Sequence, residues 1–144
     1  MTEHEEILDS PVEWVAKHIR RYVETDGKQG YLYYGKPTLL LTTRGRKSGK
    51  LYRTALIYGQ ESDRYLLIPS NGGQSNHPAW YLNLVENPAV EVQIGAEKFS
   101  ARARTASPEE KPALWKIMVS IFAQYNTYQA QAGRDIPVVI LERI

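Results

Sequence analysis

The stretch Thr38-Leu39-Leu40-Leu41-Thr42-Thr43-Arg44-Gly45-Arg46-Lys47-Ser48-Gly49-Lys50-Leu51-Tyr52-Arg53-Thr54 decides the fold. Its apolar half, Thr38–Thr43, lacks helical spacing and predicts a buried strand, and Tyr52–Tyr58 predicts the hairpin partner. The two glycines between them allow positive φ and can expose successive backbone N–H groups. Arg44, Arg46, Lys47, Lys50 and Arg53 place five cations in ten residues with no acid among them, and Thr43 and Ser48 add hydroxyls. Such a hairpin tip suits a phosphate or carboxylate ligand. A basic glycine hairpin also occurs as a plain solvated turn. It is not a P-loop, because Gly45 and Gly49 enclose only three residues and Leu51 stands where a hydroxyl would hold magnesium.

Upstream, residues 1–8 are polar and expected to be loose. Ser10-Pro11-Val12-Glu13 reads as a helix start, with Ser as N-cap and Pro in the first turn. Val12, Val15, Ile19 and Val23, flanked by Trp14 and Tyr22, predict a helix over 10–25 that Asp26-Gly27 ends. Packing on the domain is its simplest role. A lid or a membrane-surface contact is the alternative, although its polar face mixes charge signs.

Downstream, Arg64–Pro69 predicts a third strand after a turn at Gln60–Asp63. Ser70–Asn76 reads as a polar glycine-rich loop unable to pack, and His77–Tyr81 opens a short helix closed by Asn87-Pro88. Val90, Val92 and Ile94 alternate with polar residues, and Phe99, Ala101 and Ala103 do so in the next strand. Ser107-Pro108-Glu109-Glu110 is a second capping signature, followed by a helix carrying Leu114, Met118, Ile121 and Phe122, then a short helical stretch near Tyr125–Gln131. Val138–Leu141 predicts a last buried strand. The whole is one domain, 1–144, of mainly β, α+β class: an antiparallel barrel with an N-terminal helix and helices at its rim, the barrel core spanning 35–144.

Composition narrows function by exclusion. At 144 residues the chain can bury a real core, and 42% apolar with 24% charged content is ordinary for a globular domain. A net charge of +2 gives no global field for nucleic acid. The absence of cysteine excludes thiolate chemistry and disulfides. The acidic start is unlike a signal peptide and no apolar run reaches membrane-span length, so a cytoplasmic location is expected. His4, His18 and His77 lie at no metal-binding spacing, and no metal is expected. Neither a nucleophile elbow nor a dinucleotide fingerprint is present. An enzyme of this composition would borrow its reactive group from a cofactor. The basic turn, the loop Ser70–Asn76 and the helix start at Trp80 together suit a flat polycyclic cofactor with an anionic tail. Phe122, Tyr125 and Tyr128, spaced by three, are either core or a binding face.

Gly45–Lys50 with Arg53-Thr54-Ala55-Leu56, Ser70–Gly73, His77–Leu84, Asn87–Val90 and Gly133–Val139 resemble, in order, the signatures of the deazaflavin-dependent nitroreductase family. The likeness runs from about Gly35 to the C-terminus. It implies a split β-barrel related to flavin-mononucleotide-binding oxidoreductases and coenzyme F-420 as the hydride source. By this resemblance Arg46, Lys47, Ser48, Lys50 and Arg53 hold the cofactor's anionic tail. Thr54, Ala55, Leu56, Ser70, Asn71, Gly72, Gly73, Asn76 and Trp80 border its ring. Phe122, Tyr125 and Tyr128 bind the acceptor, with Ser70, Tyr125 and Tyr128 orienting it. Ala55 replaces a usual proline, and Phe122 a tyrosine of nitroimidazole-reducing members, which favours a quinone or another flat electron-poor acceptor over a nitro prodrug. A flavin-mononucleotide split barrel and a non-catalytic nucleic-acid-binding barrel are the competing readings. Monomer and dimer are both compatible with the sequence.

Overall fold

The computed structural model describes residues 5–144. In chain order its elements are β1 (Ile7–Asp9), α1 (Glu13–Glu24), β2 (Leu32–Tyr33), β3 (Lys36–Arg44), β4 (Leu51–Ile57), β5 (Gly59–Glu61), β6 (Arg64–Leu67), a 3-10 turn (Asn71–Gly73), α2 (Ala79–Glu86), β7 (Ala89–Ile94), β8 (Glu97–Thr105), α3 (Lys111–Ile121), α4 (Gln124–Ala132) and β9 (Val139–Arg143). The sheet runs β1-β4-β3-β7-β8-β9-β6-β5, with β2 on β3. Strand β4 passes through Tyr58 directly into β5, so one bent strand supplies both flanks of the order and carries the sheet round on itself. Among the described residues no ladder closes the cylinder. The expected α+β split-barrel architecture is borne out in this open form.

The central hairpin pairs from Thr38↔Ile57 to Arg44↔Leu51. Its apolar run does not alternate because β3 is covered on both faces. Leu39 and Leu41 enter the barrel core with Leu67, Val92 and Leu141, whereas Leu40 faces the opposite way, beneath Ile19 and Tyr22 of α1. A further cluster packs α3 and α4 on the sheet through Leu66, Leu114, Met118, Tyr125 and Ile140. Burying each such aliphatic side chain stabilises the fold by roughly 1.5–3 kcal/mol.

Helix α1 packs the expected Val15, Ile19 and Val23 against the sheet, with the centre of the contact shifted toward Tyr22. Ile19 and Tyr22, not Val12, form its buried centre, and Val12 and Trp14 are exposed. The reason is the Tyr22 hydroxyl, which donates to the Thr38 carbonyl at 3.0 Å and accepts from the Gly95 N–H at 2.8 Å. The helix ends where Thr25 Oγ1 donates to the Arg21 carbonyl and Asp26 and Gly27 take positive φ. A Cβ on Gly27 would stand 2.6 Å from Gly95 Cα, so only glycine lets this end dock.

The structure corrects two other expectations. Residues 1–4 lie outside the described residues, but Ile7 and Leu8, read as loose, belong to β1 and pair in parallel with Leu51 and Tyr52. Strand β2 likewise precedes the expected barrel boundary at Gly35. The loop Ser70–Asn76 does pack: Ser70 and Gly73 are buried, and a Cβ on Gly73 would lie 3.1 Å from the Tyr128 Cα. At Ser107 the expected capping box forms, with the Glu110 N–H donating to Ser107 Oγ at 3.2 Å and the Ser107 N–H to Glu110 Oε1 at 2.9 Å.

Candidate functional site

The basic turn is built by short local bonds. The Gly45 N–H donates to the Lys50 carbonyl at 2.7 Å, and the Gly49 N–H, at positive φ, to the Gly45 carbonyl at 3.0 Å. Ser48 Oγ accepts from the Lys50 N–H at 3.1 Å and lies 2.8 Å from the Tyr52 hydroxyl. A Cβ on Gly45 would meet the Tyr52 ring at 2.6 Å, which explains glycine there. Asn83, only 5% exposed, ties the turn to α2: its Oδ1 accepts from the Arg46 N–H at 3.1 Å and Arg46 Nη1 at 3.3 Å, while Nδ2 donates to Thr43 Oγ1 at 3.3 Å. The Lys47 and Ser48 N–H groups, next along the chain, have no acceptor among the described residues. They lie in an exposed segment, beside the Arg46 and Lys47 side chains.

This turn borders a cavity of about 360 Å³, whose wall also includes Arg53 and Thr54 of β4, Trp80 of α2 and the segment Leu8–Pro11. The structure thus brings together Arg46, Lys47, Ser48, Arg53, Thr54 and Trp80. It also adds acids absent from the turn itself. Arg53 donates through Nε and Nη2 to the Asp9 carboxylate at 2.7 and 3.1 Å, and Arg44 pairs with Glu5. Asn83, Tyr52 and Asp9 were not candidates from sequence. Asn83 lies within the His77–Leu84 signature and Tyr52 between Lys50 and Arg53 of another, so both were legible as polar positions, but Asp9 meets Arg53 only through the parallel pairing of β1 with β4.

The remaining candidates lie elsewhere. Lys50 is exposed and outside this cavity. Ala55 lines a smaller cavity of about 140 Å³ under α1, with Trp14, His18 and Tyr33. Leu56 packs against the barrel core. Ser70, Asn71, Gly72, Gly73 and Asn76 form the loop that leans on α4 and do not line the turn's cavity. Arg134 fastens that loop: Nε donates to the Gln74 carbonyl, Nη2 to the Pro69 and Ser70 carbonyls at 3.2 and 3.1 Å, and Nη1 lies 3.0 Å from His77 Nδ1. Burial, and then the Arg134 charge, hold the His77 pKa below its ordinary value.

Phe122, Tyr125 and Tyr128 pack on one another, with ring centroids 5.1, 6.2 and 6.5 Å apart pairwise. Tyr125 is buried, and burial followed by the neighbouring Tyr128 pushes its pKa well up, so its hydroxyl is a donor at neutral pH. Tyr33 is pushed up too, by burial and then by Tyr34, with Tyr128 contributing. Trp14 stacks on Tyr33 at 5.7 Å and 11°. Among the described residues no group of three His, Asp or Glu side chains could hold a metal, and no helix is long and apolar enough to cross a membrane.

The donor chemistry of the turn fits the anionic end of a cofactor: a pair of adjacent N–H groups without acceptors, the Arg46 and Lys47 cations, and an indole wall at Trp80. The profile of a family described as F420H(2)-dependent quinone reductase matches residues 14–143. An F420H(2)-dependent quinone reductase of Mycobacterium tuberculosis strain H37Rv is 37% identical over 136 residues, covering 92% of this chain and 91% of the relative. The solved structure of an F420-H2 dependent reductase, FDR-A, is similar with a TM-score of 0.68 and 39% identity, over 74% of this chain and 94% of that one. A structure described as a domain-swapped dimer is similar with a TM-score of 0.71 and 38% identity, over 92% of this chain and all (100%) of that one. None of these lends support to the flavin-mononucleotide alternative. The chain belongs to the F420H(2)-dependent quinone reductase family.

Proposed function

We propose that this protein is an oxidoreductase that uses reduced coenzyme F-420 to reduce a quinone-type acceptor. The observation that carries the reading is the meeting of Arg46, Lys47 and the unpaired Lys47 and Ser48 N–H groups at one cavity mouth. Reduced F-420, when bound, supplies a hydride, so the protein needs no nucleophile of its own. Arg46, Lys47 and Ser48 would hold the cofactor's anionic tail, and Trp80 and Thr54 would flank its path toward the ring. Asn83 keeps Arg46 in place through both its main chain and its guanidinium.

Phe122, Tyr125 and Tyr128 would offer aromatic faces to a flat acceptor and exclude water from it. The Tyr125 hydroxyl, protonated at neutral pH as an ordinary phenol is, would donate toward an acceptor carbonyl as negative charge develops there. Ser70, fixed by Arg134, would be a second donor. This reading puts the enzyme in the cytoplasm, with any membrane contact peripheral and through α1, where Val12 and Trp14 are exposed. The test is anaerobic: reduced F-420 is mixed with the protein and a panel of quinones and nitroimidazoles. Rapid cofactor oxidation by quinones is the expected result, with nitroimidazoles slower because Phe122 lacks a hydroxyl. Turnover with neither acceptor, or equal turnover with reduced flavin mononucleotide, would overturn the proposal.

A further inference from the structure

Strand β1 carries an acid into the wall of the anion cavity. Asp9 takes the Nε–Nη2 edge of Arg53 in a bidentate grip at 2.7 and 3.1 Å, the geometry in which a guanidinium otherwise grips a phosphate. Side-chain exposures of 20% for Arg53 and 26% for Asp9 leave the pair only partly screened by water. Glu5 also pairs with Arg44, through Nη1 alone. By contrast Arg46 leans on a neutral amide, and Lys47 has no acidic partner among the described residues. The cavity wall therefore presents two uncompensated cations, Arg46 and Lys47, although Arg53 is also part of it.

We infer that Asp9 is a specificity-determining residue of the anion site. By holding Arg53 as a neutral pair, it limits the positive charge a ligand meets and disfavours anions of high charge density. Asp9 lies outside the span matched by the family profile, residues 14–143, so family membership assigns it no role. In the opposite arrangement Asp9 would aim the Nη1 end of Arg53, which the carboxylate leaves free, at the ligand, and the Asp9 variants would then bind anions more weakly. The inference rests on reading the basic turn as the anion site.

The experiment is isothermal titration of the purified full chain at low salt with inorganic phosphate and with pyrophosphate. Wild type is compared with Asp9→Asn, Asp9→Ala and Lys47→Ala. Asparagine keeps the shape and one acceptor for Arg53, and alanine removes the side chain while leaving the β1–β4 backbone ladder. Both Asp9 variants should bind pyrophosphate about fivefold more tightly and phosphate about twofold more tightly than wild type, a gain that high salt erases. Lys47→Ala should weaken both ligands. Unchanged or weaker pyrophosphate binding in the Asp9 variants, with Lys47→Ala still weakening it, would overturn the inference and leave the anion site standing. Binding indifferent to Lys47→Ala would end both.

Discussion

Asn83→Ala separates a structural role from a binding role at the point where α2 meets the basic turn. The side chain makes three hydrogen bonds, at 3.1, 3.3 and 3.3 Å, from a position only 5% exposed. Each is worth about 0.5–1.5 kcal/mol net, and the longer two belong at the lower end. Their sum is about 2 kcal/mol, which in a chain of this size lowers the melting temperature by roughly 6–8 °C. The Arg46 main chain and guanidinium lose their shared anchor, so the adjacent Lys47 and Ser48 N–H groups no longer hold a fixed direction. Ordering them again on binding costs roughly 1–1.5 kcal/mol, or about tenfold in affinity. The assay is thermal denaturation beside titration with F-420, and at one cofactor concentration well above both Kd values the variant should gain about 1.4 kcal/mol less stabilisation than wild type. A variant that melts lower yet binds F-420 as tightly as wild type would refute the reasoning, because Asn83 would then be a core residue with no part in shaping the site.

Two further perturbations follow from the same geometry. The Glu110 carboxyl is held down to about 2, chiefly by Arg104 and then by the Ser107 N–H. A depressed acid contributes its stability in full above its unfolded value, near 4.5, and loses it as pH falls toward 2. Glu110→Gln should therefore lower the melting temperature at pH 7 and leave it unchanged near pH 2. Arg134→Lys cannot supply the bonds to the Pro69, Ser70 and Gln74 carbonyls together. Amide exchange across residues 70–76 should rise about tenfold while α2 and the barrel strands stay protected, and uniform loosening would deny Arg134 a local role.

Much of this was legible in the chain. The central hairpin, the β7–β8 alternation, the capping box at Ser107 and the final strand all follow from periodicity and capping chemistry that act within a few residues. The failures share a cause: each depends on a partner distant in sequence. Tyr22 ranked as a flank of its helix because nothing local reveals that its hydroxyl will reach Gly95. Residues 7 and 8 looked loose because a three-residue strand is specified by its neighbour, β4, and not by its own composition. The polar loop at Ser70 packs because Arg134, at the far end of α4, supplies the donors its carbonyls need.

The site divides along the same line. The cations and glycines of the turn are contiguous and so stood out together, although only Gly45, Arg46 and Lys47 of them, and not Arg44, Gly49 or Lys50, line the cavity. Compensation of Arg53 by Asp9 could not, since it arises from a parallel ladder that brings residue 9 beside residue 53. Ala55 and Leu56 were grouped with Thr54, yet Ala55 points to the opposite face of the strand, under α1, and Leu56 lies further along against the barrel core, so of the three only Thr54 reaches the turn's cavity.

The central claim is that the turn at Arg46 and Lys47 grips the anionic end of F-420. Titration of the cofactor into wild type and the Arg46→Ala/Lys47→Ala double variant tests it most directly. Charge-assisted contacts from two partly exposed cations should together be worth about 3 kcal/mol, so affinity should fall roughly a hundredfold while the melting temperature of the free protein stays within a few degrees. Equal affinity in the two proteins would contradict the account.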